Sequence, residues 1–227
     1  MKREQTIVPI AVIRTDFPGK FGIPRQAGIV GELEGKILFE KEFSDREALR
    51  GIEEFSHLWL IWSFSENEGW SPTVRPPRLG GNTRKGVFAT RSPFRPNRLG
   101  LSCVRLLRVE DSGKGMPVLI VGGADLMDGT PIYDIKPYIP YADSIPEATA
   151  GFAADPGERI PVEIPPAVEE AIPEEKRTAL RKVLELDPRP RYLEMGEREY
   201  RFEFGGYTIR FLVDGGTLRV LSAEKKE

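Results

Sequence analysis

Phe55-Ser56-His57-Leu58-Trp59-Leu60-Ile61-Trp62-Ser63-Phe64 is the most apolar segment of this 227-residue chain. Its length and aromatic content read as a strand buried on both faces. Ser65-Glu66-Asn67 then ends it in polar residues suited to the rim of a pocket. His57, the only histidine, reads as a core histidine; a catalytic base is the alternative.

The flanking sequence has the same short-strand character. Residues 6–14 read as an opening strand, and 28–39 as a hairpin around Gly35. Ser44 to Ile52 reads as a helix with a capping box, Ser44 as N-cap and Glu47 three residues on, stopping at Gly51. Leu101–Val109 and Pro117–Val121 are expected to pair across the turn at Asp111–Gly115. A strand over 132–138 would present Asp134, Lys136 and Tyr138 on one face. The competing reading of that face is an ion pair between Asp134 and Lys136.

Residues 142–166 are rich in Ala, Pro, Gly and acids and read as a linker with one short strand at Ile160–Ile164. Pro173–Leu186 is expected to be helical, with Ala179, Leu180, Val183 and Leu184 on one face. Tyr200–Phe204, Tyr207–Val213 and Leu218–Leu221 alternate as three strands joined by glycine turns. Twenty prolines and twenty-three glycines suit many turns and short strands rather than a helix bundle. The fold class is therefore mainly β, followed by a small α+β C-terminal domain.

Composition narrows the function. The net charge of −2 argues against a nucleic-acid-binding surface covering the whole molecule. Charge is nevertheless unevenly distributed, since no Asp or Glu occurs between Glu68 and Glu110. That interval holds Arg75, Arg78, Arg84, Lys85, Arg91, Arg95, Arg98, Arg105 and Arg108. At its centre Gly86–Ser102 is read as an apolar strand breaking into a loop stiffened by Pro93 and Pro96. Arginine forks suit phosphates and carboxylates. Phe88, Phe94, Tyr138 and Tyr141 are candidates to stack on bases, although each taken singly reads as core.

Other chemistries lack their residues. One cysteine, Cys103, and one histidine make neither a disulfide nor a zinc site, so no metal is expected. No G-x-G-x-x-G, P-loop or G-x-S-x-G pattern occurs. No apolar run reaches transmembrane length and no signal-peptide core opens the chain, so a cytoplasmic protein is expected.

Five motifs in order carry a family resemblance. They are Pro24-Arg25-Gln26, Phe55–Trp59, Arg75–Asn82, the Gly86–Ser102 loop, and Asp128–Pro131 through Asp134–Tyr138. Together they resemble the TsaA-like (YaeB, or TrmO) proteins, and Asp187-Pro188-Arg189-Pro190 with the strands after it resembles the tail domain of bacterial members. The resemblance implies a methyltransferase that uses S-adenosyl-L-methionine and methylates N6-threonylcarbamoyladenosine at tRNA position 37. It also implies a small non-Rossmann β-barrel over residues 1–145, a linker over 146–166, an α+β domain over 167–227, and a homodimer. A cofactor- and RNA-binding module without turnover, or a methyltransferase with another acceptor, are the alternatives.

Carried onto this chain, the resemblance assigns the cofactor to Pro24, Arg25, Gln26, Ser65, Glu66, Arg91, Leu101 and the loop of Asp125, Leu126, Met127 and Asp128. A solvated loop is the alternative for Arg25 and Gln26. The tRNA anticodon arm is expected on Arg75, Arg78, Arg84, Lys85, Arg95 and Arg98. Asp134, as proton acceptor or orienting group, Lys136, as an anion binder, and Tyr138 are the catalytic candidates.

Overall fold

The computed structural model describes residues 4–113, 115–189 and 198–226. Eight strands come first: β1 (Ala11–Arg14), β2 (Glu34–Phe39), β3 (His57–Ser63), β4 (Thr73–Val74), β5 (Lys85–Gly86), β6 (Leu99–Asp111), β7 (Pro117–Gly122) and β8 (Pro131–Pro137). Pairing runs β1-β2-β7-β6-β3-β8 and returns to β1, closing a six-stranded barrel. Its remaining edge is sealed by Ala11 opposite Ile132 and Val12 opposite Pro131. Closure leaves no free edge among these six strands.

In β3 Leu58, Leu60 and Trp62 are buried, while His57, Trp59, Ile61 and Ser63 are only half-buried. The segment expected to be buried on both faces thus alternates, because it lies on a closed wall with one face inward. The strand buried along its whole length is β7, with the 28–33 segment across its end. Two other expectations also change. Residues 28–39 contain one strand, not a hairpin, and Gly35 lies inside it because an added Cβ would stand 2.9 Å from Ile13 Cδ1. Residues 44–52 form short 3-10 turns rather than a helix; Asp45, not Ser44, caps the Arg46–Leu49 turn by accepting from Glu47 N at 2.9 Å. In Gly86–Ser102 the strand ends at Gly86, the last residue of β5, and a 3-10 turn at Val87–Ala89 follows in place of the expected apolar strand.

After α1 (Pro140–Asp143) come β9 (Val162–Glu163), α2 (Pro166–Glu170) and α3 (Glu174–Glu185), then β10 (Tyr200–Phe204), β11 (Tyr207–Asp214) and β12 (Thr217–Lys225). The second sheet has the order β10-β11-β12-β9. Its core takes Ala179, Leu180, Val183 and Leu184 from α3, which confirms the face read from their spacing.

That same core includes Phe17, Val30 and Leu33, from far earlier in the chain. Phe17 meets Phe204 edge to face at 5.4 Å between ring centres, and Phe21 meets Phe202 at 6.0 Å. Asp16 pairs with Lys176, Glu32 pairs with Lys182, and Gly205 N donates to Asp16 O at 2.8 Å. The 16–33 segment is therefore clamped between barrel and C-terminal sheet. Pro24, Arg25 and Gln26 stand at its tip.

Candidate cofactor pocket and flanking surface

A cavity of about 470 Å³ opens where the end of β3, the start of β6 and the tip of the 16–33 segment meet. Pro24, Arg25 and Gln26 form one wall, and Ser65 and Glu66 another. Arg91, Leu101, Asp125, Leu126 and Met127 also line it. The chain thus brings ten of the eleven assigned cofactor residues to one hollow. Asp128 lies outside the lining: its carboxylate accepts from Thr15 N at 3.0 Å and Arg14 Nη1 at 3.2 Å, so it braces β1.

Charge in the cavity is divided. Arg91 donates to Gln26 Oε1, which ties the arginine loop to the Pro24–Gln26 wall. Asp125 sits behind them, accepting from Ser102 Oγ at 2.6 Å. Burial pushes the Asp125 carboxyl above the usual carboxylate range; the Ser102 hydroxyl, backbone N–H groups and the charge of Arg91 oppose that push. Trp59 and Trp62 supply aromatic surface. Trp62 is held by its neighbours, because an added Cβ on Gly100 would fall within the indole.

Several of these groups were not singled out in the sequence. Lys20, Trp59, Trp62 and Thr90 all line the cavity, Ser102 supports it from behind, and Arg95, expected on the RNA face, also stands in the lining. The available signal was the two tryptophans three residues apart beside Ser65-Glu66. Nothing local marks Ser102, whose role depends on strand pairing.

Asp134, Lys136 and Tyr138 do not line the cavity. They lie on the outer face of the β3–β8 wall, where Trp59 pairs with Lys136 and Ile61 with Asp134. Lys136 Nζ stands 2.8 Å from Asp134 Oδ2. The Tyr138 ring lies 5.7 Å from Trp59 and 6.2 Å from His57. Trp59 is therefore the link, lining the cavity while standing opposite Lys136 and against Tyr138. His57 bonds through Nδ1 to Ser56 Oγ at 2.9 Å, a local contact.

The cations expected to meet RNA divide into two sets. Arg95 donates to Thr90 O at 2.7 Å and Val87 O at 3.3 Å, and lies 5.8 Å from the centre of the Phe88 ring. Arg98 donates to Asn67 O, Arg84 to Thr73 Oγ1 at 2.9 Å, and Arg78 to the carbonyl of Asp155. These four brace loops. Arg75 and Lys85 have no side-chain partner among the described residues. No cluster of metal-ligating side chains occurs among the described residues, and no helix there is long and apolar enough to cross a membrane.

Comparison with known proteins gives this arrangement a family. The tRNA-methyltransferase O N-terminal domain model matches residues 12–144, and the TrmO C-terminal domain model matches residues 157–226. The tRNA (adenine(37)-N6)-methyltransferase of Escherichia coli K12 is 41% identical over 228 residues, covering 96% of this chain and 97% of that protein. Its counterpart in Eikenella corrodens is 46% identical over 167 residues, covering 71% of this chain and 93% of that protein. The crystal structure of TrmO from Pseudomonas aeruginosa superposes with a TM-score of 0.82 at 32% identity, covering 99% of both chains. With both domain models matched in order and the fold shared end to end, the chain belongs to the TrmO family.

Proposed function

We propose that this chain transfers a methyl group from S-adenosyl-L-methionine to N6 of adenosine 37 in tRNA, with threonylcarbamoyladenosine as the acceptor. The observation that carries the reading is one cavity with Arg91 and Gln26 on one side, half-buried Asp125 behind and two tryptophans in the wall. Its volume of about 470 Å³ falls in the range of small-molecule sites, ~300–1,000 Å³. The donor set fits the cofactor: a guanidinium for its carboxylate, a carboxylate for its ammonium or ribose hydroxyls, and aromatic surface for its adenine or sulfonium.

When bound, the cofactor supplies an electrophilic methyl group on its sulfonium. The work of the chain is to hold the acceptor nitrogen in line and remove its proton. That nitrogen is a weak nucleophile, because its lone pair is shared with the purine and carbamoyl groups, so positioning is central. Leu101 and Trp59 stand where the cavity meets the outer face of β3, and the trio lies beyond them. We assign Lys136 to an anionic group of the acceptor, Asp134 to its proton and Tyr138 to stacking. Arg75 and Lys85 supply the free positive charge for the RNA backbone; Arg78, Arg84, Arg95 and Arg98 act mainly by shaping the surface.

We further assign residues 1–145 as the barrel methyltransferase domain, 146–166 as linker and 167–227 as the C-terminal domain, with segment 16–33 shared between them. Exposed Leu101 (56%), which lines the cavity, together with exposed Ile145 (60%) and Tyr141 (92%), supports a homodimer. Substrate and cofactor both suit a cytoplasmic enzyme.

The test is mass spectrometry of tRNA nucleosides from a deletion strain, before and after adding purified protein and S-adenosyl-L-methionine. Appearance of the N6-methylated nucleoside supports the reading. Cofactor binding without S-adenosylhomocysteine formation overturns it in favour of a binding module, and methylation elsewhere overturns the acceptor.

A further inference from the structure

Behind the cavity lies a short polar chain inside the barrel. Trp62 Nε1 donates to Ser102 Oγ at 3.0 Å, and Ser102 Oγ donates to Asp125 Oδ1 at 2.6 Å. Ser102 is 3% exposed and Trp62 is 7% exposed. Strand register creates the arrangement: Trp62 pairs with Gly100 on β6, and Ser102 follows two residues later on the same face.

The direction of the chain is forced. An indole N–H only donates, so it occupies a lone pair of the serine oxygen. The single serine proton is then committed to Asp125 Oδ1. A proton on Oδ1 would face the serine hydrogen, and a proton on Oδ2 would leave Oδ1 a neutral carbonyl, a weaker acceptor than a carboxylate oxygen. The geometry thus favours the charged carboxylate at a depth where burial opposes it.

We infer that Ser102 is a positioning residue: locked by Trp62, it keeps Asp125 ionised and turns the carboxylate toward a hydrogen-bond donor of the bound cofactor. The inference rests on the assignment of the cavity to S-adenosyl-L-methionine. Arg91 supplies the opposing charge on Asp125. Lys20, Arg25, Glu66 and Arg95 are the other charged side chains around the same cavity. Ser102 does not line the cavity, so its effect on the cofactor must pass through Asp125.

Calorimetric binding of S-adenosyl-L-methionine from pH 4 to 8, with no tRNA present, tests the inference on the full chain. Ser102→Ala is expected to weaken binding about tenfold at neutral pH, as loss of a bond to a charged group does. It should also move the acid limb of binding to higher pH by about one unit. Ser102→Thr, which keeps the hydroxyl, should restore both. In the cofactor-free protein the Asp125 carboxyl carbon, followed by NMR, should titrate higher in Ser102→Ala. Should that variant not fold, Trp62→Phe is the substitute in the same titration, since it frees the serine lone pair and should also raise the carboxyl. Wild-type affinity and pH profile in Ser102→Ala, with binding lost in Asp125→Asn, would overturn the role of Ser102 and leave the pocket assignment standing. Unchanged affinity in Asp125→Asn would overturn both.

Discussion

Lys136 Nζ lies 2.8 Å from Asp134 Oδ2 on the outer face of β8, with the two side chains 62% and 45% exposed. The pair that sequence left undecided between chemistry and mutual neutralisation is formed. Contact between them does not remove either from catalysis, because exposed ion pairs contribute at most about 1 kcal/mol and exchange readily with a charged substrate.

Small structural worth makes the pair a clean target. Asp134→Ala and Lys136→Ala should each leave the melting temperature nearly unchanged. Each should lower single-turnover methyl transfer by about tenfold or more, the scale of general acid–base and positioning effects. Normal rates in both variants would remove Asp134 and Lys136 from the reaction.

Arg91 and Arg95 occupy one loop but should fail differently. Arg91→Ala removes the guanidinium tied to Gln26 and should weaken cofactor binding about tenfold or more. Arg95 holds two backbone carbonyls, so Arg95→Ala should cost about 1.5–3 kcal/mol of stability and loosen the cavity wall. A selective loss of tRNA affinity in Arg95→Ala, with stability intact, would contradict this division. Calorimetry and thermal denaturation of both variants read the difference.

Arg75 and Lys85 should carry the salt-dependent contact with RNA. Neutralising either should reduce the slope of log affinity against log salt by about one. Filter binding of tRNA at several salt concentrations measures it, and unchanged slopes would move the RNA to another face.

Gly22 links the C-terminal sheet to the cavity. Its φ is +92°, and an added Cβ would overlap the Phe202 ring. Gly22→Ala should therefore destabilise the fold and weaken cofactor binding, because Pro24 to Gln26 follow directly. Phe204→Ala, which removes the partner of Phe17, should cost about 3–5 kcal/mol and have the same secondary effect. Cofactor affinity unaffected in a folded Gly22→Ala protein would show that the clamp does not reach the pocket.

Asp125→Asn should trade function for stability. Burial raises the folded-state pKa of Asp125 above its ordinary 3.8, so the native state binds the proton more tightly than the unfolded chain does. The stability contributed by that preference is present below pH 3.8 and is lost as pH rises through the raised value. At neutral pH the charged carboxylate is a burden that asparagine lifts. Melting temperature against pH should show Asp125→Asn above wild type at pH 7, with the gap closing in acid, while cofactor binding is lost at every pH.

Residue by residue, local features were legible. The α3 face, the β6–β7 pair and the three closing strands follow from periodicities and turn residues read over short windows. The pocket wall at Pro24–Gln26 was reached through motif resemblance, the arginine loop through its acid-free composition. Ser44 shows the limit of local rules: its capping signal was sound, yet Asp45 makes the cap and Ser44 Oγ is buried without a partner. Asp125 and Asp128 stand three residues apart in one loop, and no pattern tells that one faces the cavity while the other braces Arg14.

By itself, then, the sequence determined the strand-rich class, the acid-free arginine segment and the residue types gathered around the pocket, because each depends on neighbours along the chain. Tertiary structure alone decided which face of β3 points inward, which arginines spend their donors on backbone carbonyls, and how segment 16–33 joins the C-terminal core to the cavity. Those outcomes depend on barrel closure and strand register, which bring together residues such as Asp16 and Lys176, or Ser102 and Asp125, across distances no local period encodes.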